Sequence, residues 1–286
     1  MKMAVIGCGL IGGSMALSWK RAGIVDEVIA FGHNPATLQK ALDKGAADAV
    51  TTSMEEAVKD ADIVVSAVPV EAMESVFTEM APFLKPDAVV TDVGSTRQTV
   101  IAAARKGLGD KFHQYAPAHP IAGGEMPGVD YASADLFDEK VVISTPDEGM
   151  DPKVVTFIEE AWRKAGARVQ AMSSLQHDLT FASVSHLPHV LAYALVDMIA
   201  REENAQEKLK MAGAGFRDFT RIASSSPVMW RDICLSNREA LSHELKRYRA
   251  SLDTLQKYID ESDGKALESV FENAVRNRRG LVFPGK

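Results

Sequence analysis

The sequence predicts an α/β protein, with a Rossmann-type parallel sheet in an N-terminal domain and an all-helical, dimerising C-terminal domain after it. Three observations carry this. The first short apolar run opens directly into a glycine loop; apolar runs and helical segments then alternate up to residue 171; and from Ser174 onward only helical periodicity remains. Strands alternating with helices imply a parallel sheet with right-handed crossovers. The boundary is expected near residue 172, dividing a dinucleotide-binding domain (1–172) from a helical substrate and dimerisation domain (173–286).

Residues 3–6 are apolar and run into Gly7-Cys8-Gly9-Leu10-Ile11-Gly12, after which a helical pattern continues through Arg21. Gly-x-Gly-x-x-Gly is informative when a strand precedes it and a helix follows. Gly7 permits the tight turn, Gly9 lets a pyrophosphate approach the backbone beside Leu10 and Ile11, and Gly12 lets helix and strand pack closely. The N–H groups at the helix start then face the phosphates. Cys8 is expected to fill a small buried space. A second strand, 27–31, ends at Gly32-His33-Asn34-Pro35. An acid about 20 residues beyond the loop usually receives the ribose 2′-OH, but here Gly32 stands at that spacing. His33, Asn34, Thr37 and Lys40 tolerate a 2′-phosphate, so the cofactor is expected to be NADP or NAD, with a lean to NADP and no arginine to strengthen it.

Helix 36–44, a strand near 48–50, helix 54–59, strand 63–67, helix 71–84 and strand 88–93 follow. Ligands of such sheets bind beyond the carboxyl ends of the strands. Val68-Pro69 ends one strand there and Asp92-Val93-Gly94-Ser95 another. Ser95 is expected to cap the next helix and to hydrogen-bond His119. That histidine lies in Ala116-Pro117-Ala118-His119-Pro120-Ile121-Ala122-Gly123-Gly124-Glu125. The two prolines hold the backbone extended around it, placing it at a strand end. Histidine is the side chain whose ordinary pKa suits proton transfer near neutrality. A strand at 140–144, a helix at 152–164 and a strand at 167–171 complete the first domain.

The helical half begins with a helix at 176–201 that carries His177, Ser185, His186, Pro188 and His189. Ser185 and His189 share a face with His186 beside them, and Pro188 is expected to kink the helix. The histidines lack a suitably spaced third ligand, so no metal is expected. Gly213 to Arg221 reads as a glycine-rich interhelical turn, either simply solvated or placing Arg217 or Arg221 in a cleft to grip a carboxylate. Leu241, Leu245, Tyr248, Leu252, Leu255 and Ile259 repeat at 4-3-4-3-4 spacing, a narrow seam suited to a subunit interface. A last helix covers 264–275, and residues from Asn277 on read as a mobile tail.

Composition narrows the classes. A formal charge of −7 over 286 residues leaves no basic stripe for nucleic acid. No apolar run approaches the roughly 18–20 residues that cross a bilayer, and the N-terminus runs into a glycine loop rather than a signal peptide. Only Cys8 and Cys234 occur, which fits a reducing, cytoplasmic setting. The hydrophobic fraction of 46% supports a sizeable core, and the length supports two domains.

Together these residues resemble the prephenate/arogenate dehydrogenase family of tyrosine biosynthesis, from residue 3 to about 277. The specific parts are Asp92-Val93-Gly94-Ser95, His119-Pro120-Ile121-Ala122-Gly123, Ser185-His186-Leu187-Pro188-His189 and Phe216 through Ala223, in the family's order. The resemblance implies NAD(P)-dependent oxidative decarboxylation of prephenate and/or arogenate by a homodimer. It implies that His119 binds the ring hydroxyl with Ser95 as its partner. It also implies that His189 faces the substrate, that Arg221 binds a carboxylate and that Glu125 stands at the mouth of the site. Ser185, His186 and Trp230 belong to the substrate side by the same resemblance. The family often has threonine where this chain has Gly124, which leaves keto-acid against amino-acid discrimination open. Two other readings stay open: a related dehydrogenase or imine reductase with another small substrate, and a non-catalytic NADP-binding redox sensor.

Overall fold

The structure, a computed structural model, describes residues 1–124 and 126–281. Its elements run β1 (Lys2–Ile6), α1 (Leu10–Arg21), β2 (Glu27–Phe31), α2 (Pro35–Asp43), β3 (Ala49–Thr51), α3 (Met54–Val58), β4 (Ile63–Ser66), α4 (Met73–Met80), β5 (Val89–Asp92), α5 (Gln98–Leu108), β6 (Tyr115–Ala116), β7 (Ala118–Pro120), β8 (Val141–Ser144), α6 (Pro152–Lys164) and β9 (Arg168–Ala171). The helical half follows as α7 (Ser174–Phe181), α8 (Leu187–Ala200), α9 (Ala205–Lys210), α10 (Ala214–Thr220), α11 (Pro227–Ser236), α12 (Arg238–Asp260) and α13 (Gly264–Arg279).

Six strands form one parallel sheet in the order β3-β2-β1-β4-β5-β6. The order reverses at β1, and the crevice at such a switch point is where open α/β sheets bind ligands. The central strands are apolar on both faces because helices cover both. On one side Trp19 of α1 meets Trp162 of α6 edge-on at 5.6 Å, with Phe137 against the same ring at 5.0 Å. On the other, Met73, Phe77 and Met80 of α4 pack with Tyr115 in a second cluster.

The expectation of a single sheet is corrected here. A separate three-stranded sheet, β7-β8-β9, pairs β7 antiparallel to β8 and β8 parallel to β9. Pro117 stands between β6 and β7; it has no N–H to continue the first ladder, and the chain leaves one sheet for the other there. His119 consequently sits within β7, opposite Ile143, rather than at a strand end.

In the helical half, α7 and α8 are one rod joined by a π-turn, Ala182–His186. Pro188 lacks the N–H that would bond the carbonyl of Val184, and the π-turn takes up that missing rung. The span of 27 residues, Ser174–Ala200, averages 1.4 in hydropathy over its most apolar 18-residue window, of which 22% is buried. Among the described residues one helix is therefore long and apolar enough to cross a membrane, against the expectation of none, because the scattered Ser and His residues interrupt the apolar run while its mean stays at 1.4. Its His177, Asp178 and His186 are buried against protein, and Leu175, Leu179, Val184 and Met198 are exposed. The glycine-rich turn expected at 213–221 is instead helix α10 followed by a 3-10 turn at Arg221–Ser224. The last helix runs on to Arg279, so Asn277 to Arg279 is helical. Of the tail expected at 280–286, the part from 282 lies outside the described residues.

Candidate active site

The glycine turn has the tight backbone expected at Gly7 and the close helix–strand packing expected at Gly12. Gly7 has φ +92°, and a Cβ there would meet the Ala67 carbonyl oxygen at 2.8 Å and Val68 Cγ1 at 3.1 Å. A Cβ on Gly12 would lie 2.6 Å from the Gly7 carbonyl oxygen and 3.0 Å from Val5 Cγ1, so helix and strand touch through it. Gly9 faces open space among the described residues, with none of their atoms within 4 Å of its Cβ position. It is the N-cap of α1, and no side chain caps that end. The free N–H groups, the helix dipole and the open approach at Gly9 fit a pyrophosphate. Leu10 and Ile11 are half-buried beside it, and Pro69 is exposed at the end of β4.

At the second strand, a Cβ on Gly32 would come within 3.3 Å of Leu38 Cδ2 alone, a movable methyl. Asn34 already accepts from Ala36 N at 2.9 Å as the cap of α2, and His33 lies edge-on to Phe31 at 5.2 Å. Lys40 is paired with Asp130, which occupies part of the cationic capacity assigned to this turn. Gly124 brings the loop after His119 back over the glycine turn, since a Cβ there would be 3.3 Å from Leu10 Cδ2. Glu125 lies outside the described residues.

His119 meets the helical domain through α7. Its Nδ1 is 2.7 Å from His177 Nε2, and His177 Nδ1 is 2.8 Å from Asp178 Oδ1. Phe181 closes over both imidazoles, with centroids 5.2 Å from His119 and 4.4 Å from His177. Burial is the first cause that pushes the His119 pKa well below its ordinary value, and the neighbouring His177, Arg97 and His186 act in the same direction. His119 is therefore neutral at physiological pH and able to accept a proton.

The expected roles of Ser95 change here. Helix α5 starts at Gln98, and no side chain of its own segment caps it. Asp178 does so from the other domain, accepting from Arg97 N at 2.8 Å and Gln98 N at 2.9 Å. Among the described residues Ser95 makes no bond to the amides of that first turn. Among the described residues, His119 bonds to His177 and has no bond to Ser95. Ser95 stays half-buried in the loop after β5, beside the crevice.

Below His119 lies a buried ionic network. Arg97 is fully buried; its guanidinium holds Asp92 at 2.6 Å and the Ala118 carbonyl at 3.1 Å. Tyr115 donates its hydroxyl to the same Asp92, and Asp92 also accepts from Gly94 N at 2.7 Å. Every member is bonded, the condition under which buried charges are tolerated.

On the helical side, His189 Nδ1 donates to the Ser185 carbonyl at 2.9 Å, fixing the tautomer that leaves Nε2 as an acceptor. The ring stacks on Trp230 at 3.6 Å and 20°. Burial lowers the His189 pKa first; the backbone bond opposes this, and the charge of Arg221 nearby lowers it further. Arg221 is exposed at the start of its 3-10 turn. Arg217 sits four residues earlier, 3.6 Å from Asp218. Trp230 is buried, and its Nε1–H has no partner among the described residues. His186 departs from its expected place on the substrate side. It is buried in the helical core, its Nδ1 accepts from Asn237 Nδ2 at 3.1 Å, and burial lowers its pKa to about 4.

Sequence reasoning missed Asp178 and Arg97 and took His177 only as one of several helix histidines. The pair His177-Asp178 lies on the buried side of α7, opposite the exposed Leu175 and Leu179, so apolar periodicity gave no signal for it.

A glycine turn open to a pyrophosphate, and a neutral histidine enclosed by a second, helical domain, define a two-domain dinucleotide-dependent dehydrogenase. Comparisons with known proteins specify which. Residues 15–171 match the prephenate dehydrogenase nucleotide-binding domain, and residues 173–273 match the prephenate dehydrogenase dimerization domain. The chain is 36% identical to the cyclohexadienyl dehydrogenase of Zymomonas mobilis over 98% of its own length and 95% of that protein's. It is 34% identical to the prephenate dehydrogenase of Bacillus subtilis, covering 98% of this chain and 76% of that one. Among solved structures, prephenate dehydrogenase from Aquifex aeolicus in complex with hydroxyphenyl propionate and NAD+ superposes with a TM-score of 0.90 at 34% identity, covering 98% of each chain. Arogenate dehydrogenase from Synechocystis does so at 0.82 and 27%, covering 99% of this chain and 100% of that one. The chain belongs to the prephenate dehydrogenase family, and it is an oxidoreductase with an NAD(P)-binding domain.

Proposed function

We propose that this enzyme carries out the NAD(P)-dependent oxidative decarboxylation of prephenate and/or arogenate, giving 4-hydroxyphenylpyruvate and/or tyrosine. The observation that carries the reading is His119. It is neutral, its Nδ1 is engaged from behind, and the loop after it returns at Gly124 to Leu10 of a glycine turn open for pyrophosphate. His119 Nε2 takes the proton of the substrate's ring hydroxyl and returns it to the phenol oxygen once the ring carboxylate has left as CO2. Bound NAD(P)+ supplies the acceptor for the hydride that leaves the hydroxyl-bearing carbon. Aromatisation drives the step, and the protein's part is positioning.

Arg221 is assigned to a substrate carboxylate, supported by its charge acting on His189. His189 Nε2, oriented by Ser185, and the unpartnered Trp230 Nε1–H supply polar contacts on the same side. Ser95 is assigned to the crevice, and Glu125 to the substrate by the family resemblance alone; His186 braces the helix beneath. We assign residues 1–172 to the cofactor and 173–286 to substrate and pairing. A homodimer through the helical domain is supported by the dimerization-domain match and by apolar residues exposed along the rod and on α12 and α13. The two unpaired cysteines support a cytoplasmic setting.

For the cofactor, Gly32 places no carboxylate against a 2′-phosphate, and this supports use of NADP at least as well as NAD. Lys40, tied to Asp130, lends that preference less than the sequence suggested. Steady-state rates with prephenate and arogenate, each crossed against NAD+ and NADP+, test the whole reading. Turnover of a hydroxy acid or an imine with neither cyclohexadiene accepted would overturn it.

A further inference from the structure

Two side chains with no part yet in the reaction itself stand directly behind the proposed base. His177 and Asp178 belong to α7 of the helical domain, and both are buried. Asp178 is bonded four ways: to His177 Nδ1 at 2.8 Å, to the Arg97 and Gln98 amides, and to the Gln98 side chain at 3.4 Å. Those donors hold its carboxyl ionised against the burial that opposes ionisation.

An ionised Asp178 determines the rest of the chain of bonds. A carboxylate only accepts, so His177 must carry its proton on Nδ1, and its Nε2 is then a lone pair. The contact of 2.7 Å to His119 requires His119 to donate from Nδ1. That leaves His119 Nε2 unprotonated and facing away from the relay, the form a general base needs.

We propose that His177 and Asp178 are positioning residues for the reaction: a buried relay from the helical domain that fixes the tautomer of His119 and takes up its charge. This rests on His119 being the base. When His119 Nε2 gains the substrate's proton, its Nδ1 proton moves along the hydrogen bond to His177 Nε2. The net positive charge then lies on His177, against the Asp178 carboxylate, and the protons retrace the path when the phenol forms. No bond other than N–H changes, and no oxidant is needed. The Ser-His-Asp arrangement uses a carboxylate in the same way to hold one imidazole; here a second imidazole is interposed, and the pair comes from the other domain. The charged or titratable groups acting on His119 from the surrounding elements are Arg97 after β5, His177 on α7 and His186 in the π-turn, with Asp178 one bond behind.

The test compares His177→Phe, His177→Gln, Asp178→Asn and His119→Asn by kcat, KM, pH profile, NAD(P) affinity and melting temperature. Phenylalanine keeps the ring volume and removes the acceptor. We expect kcat to fall by about 10–100-fold with substrate KM within about twofold. The acid limb of the kcat/KM profile should also move to lower pH, because protonated His119 loses its support. Glutamine can still accept from His119 and donate to Asp178, so His177→Gln should lie closer to the parent. Asp178→Asn donates to His177 Nδ1, reverses the chain and protonates His119 Nε2, costing about 10²-fold or more. A loss that scales with the folded fraction and leaves the acid limb in place would overturn the relay. So would a His177→Phe enzyme that turns over like the parent while His119→Asn does not. If His119→Asn itself keeps its rate, the assignment of the base fails instead.

Discussion

Arg221 ties the helical domain to the chemistry through one planar group. A carboxylate held by two parallel N–H bonds loses both geometry and charge density when lysine replaces arginine. Arg221→Lys should therefore raise substrate KM about tenfold or more with a smaller effect on kcat, and NAD(P) affinity should stay unchanged because the glycine turn lies elsewhere. Arg217→Lys should be milder, since its contact is to its neighbour Asp218. Initial-rate kinetics on both variants check this, and an Arg221→Lys enzyme that loses cofactor instead of substrate would contradict it. His119→Asn should keep substrate binding and lower kcat by about 10²-fold or more across roughly pH 6 to 9. Gly32→Asp should move preference toward NAD by placing a carboxylate against any 2′-phosphate. The movable Leu38 methyl gives the new side chain room. These residues were readable because each position demands one residue type: a left-handed Gly7, a packed Gly12, a histidine between prolines. Arg221 itself came from family resemblance rather than from its surroundings.

Between elements, the sequence was less informative, and Arg97 illustrates why. It stands in a loop and reads as a surface cation, yet it is fully buried between β5 and α5 on Asp92, Tyr115 and the Ala118 carbonyl. Arg97→Met should cost about 3–5 kcal/mol, because Asp92 is left as a buried charge without its cation. Chemical denaturation measures this, and a loss below about 1 kcal/mol would mean that water or rearrangement replaces the guanidinium. Activity should fall as well, since the bond to Ala118 sets the strand that carries His119. Strand identity was legible from apolar runs, but sheet membership was not. The same Val-rich signal serves β5 in the large sheet and β8 in the small one, and Pro117 decides the exchange. The cap on α5 was assigned to Ser95 because nearby sequence supplies most caps. The residue that performs it is 81 positions away from Arg97, a separation that no local pattern reports.

For the whole molecule, buried histidines set the acid limit. The His186 pKa is near 4 in the fold, against about 6.5 in an unfolded chain. Between those values the unfolded chain binds the extra proton. The contribution is complete above about pH 6.5 and is lost as pH falls toward 4, to a total of roughly 3 kcal/mol. Urea midpoints at about pH 7 and pH 4.5 should show this slope, and His186→Phe should flatten it even though Asn237 loses its acceptor. Assembly is the other property at this scale. Leu252 (46% exposed) and Ile259 (59%) leave the expected seam uncovered in one chain, while Leu241 is buried. Sedimentation should find a stable dimer at micromolar concentration, and a monomer would refute pairing along α12. The carboxylate of Asp178 has a last consequence, for protection against solvent deuterium. The amides of Arg97 and Gln98 stand at a helix start, where no intrahelical carbonyl can accept them, and their acceptor is a side chain of the other domain. Those two N–H groups exchange only when α5 and α7 separate or α5 unravels, so their labelling rate is a clock for the parting of the two domains.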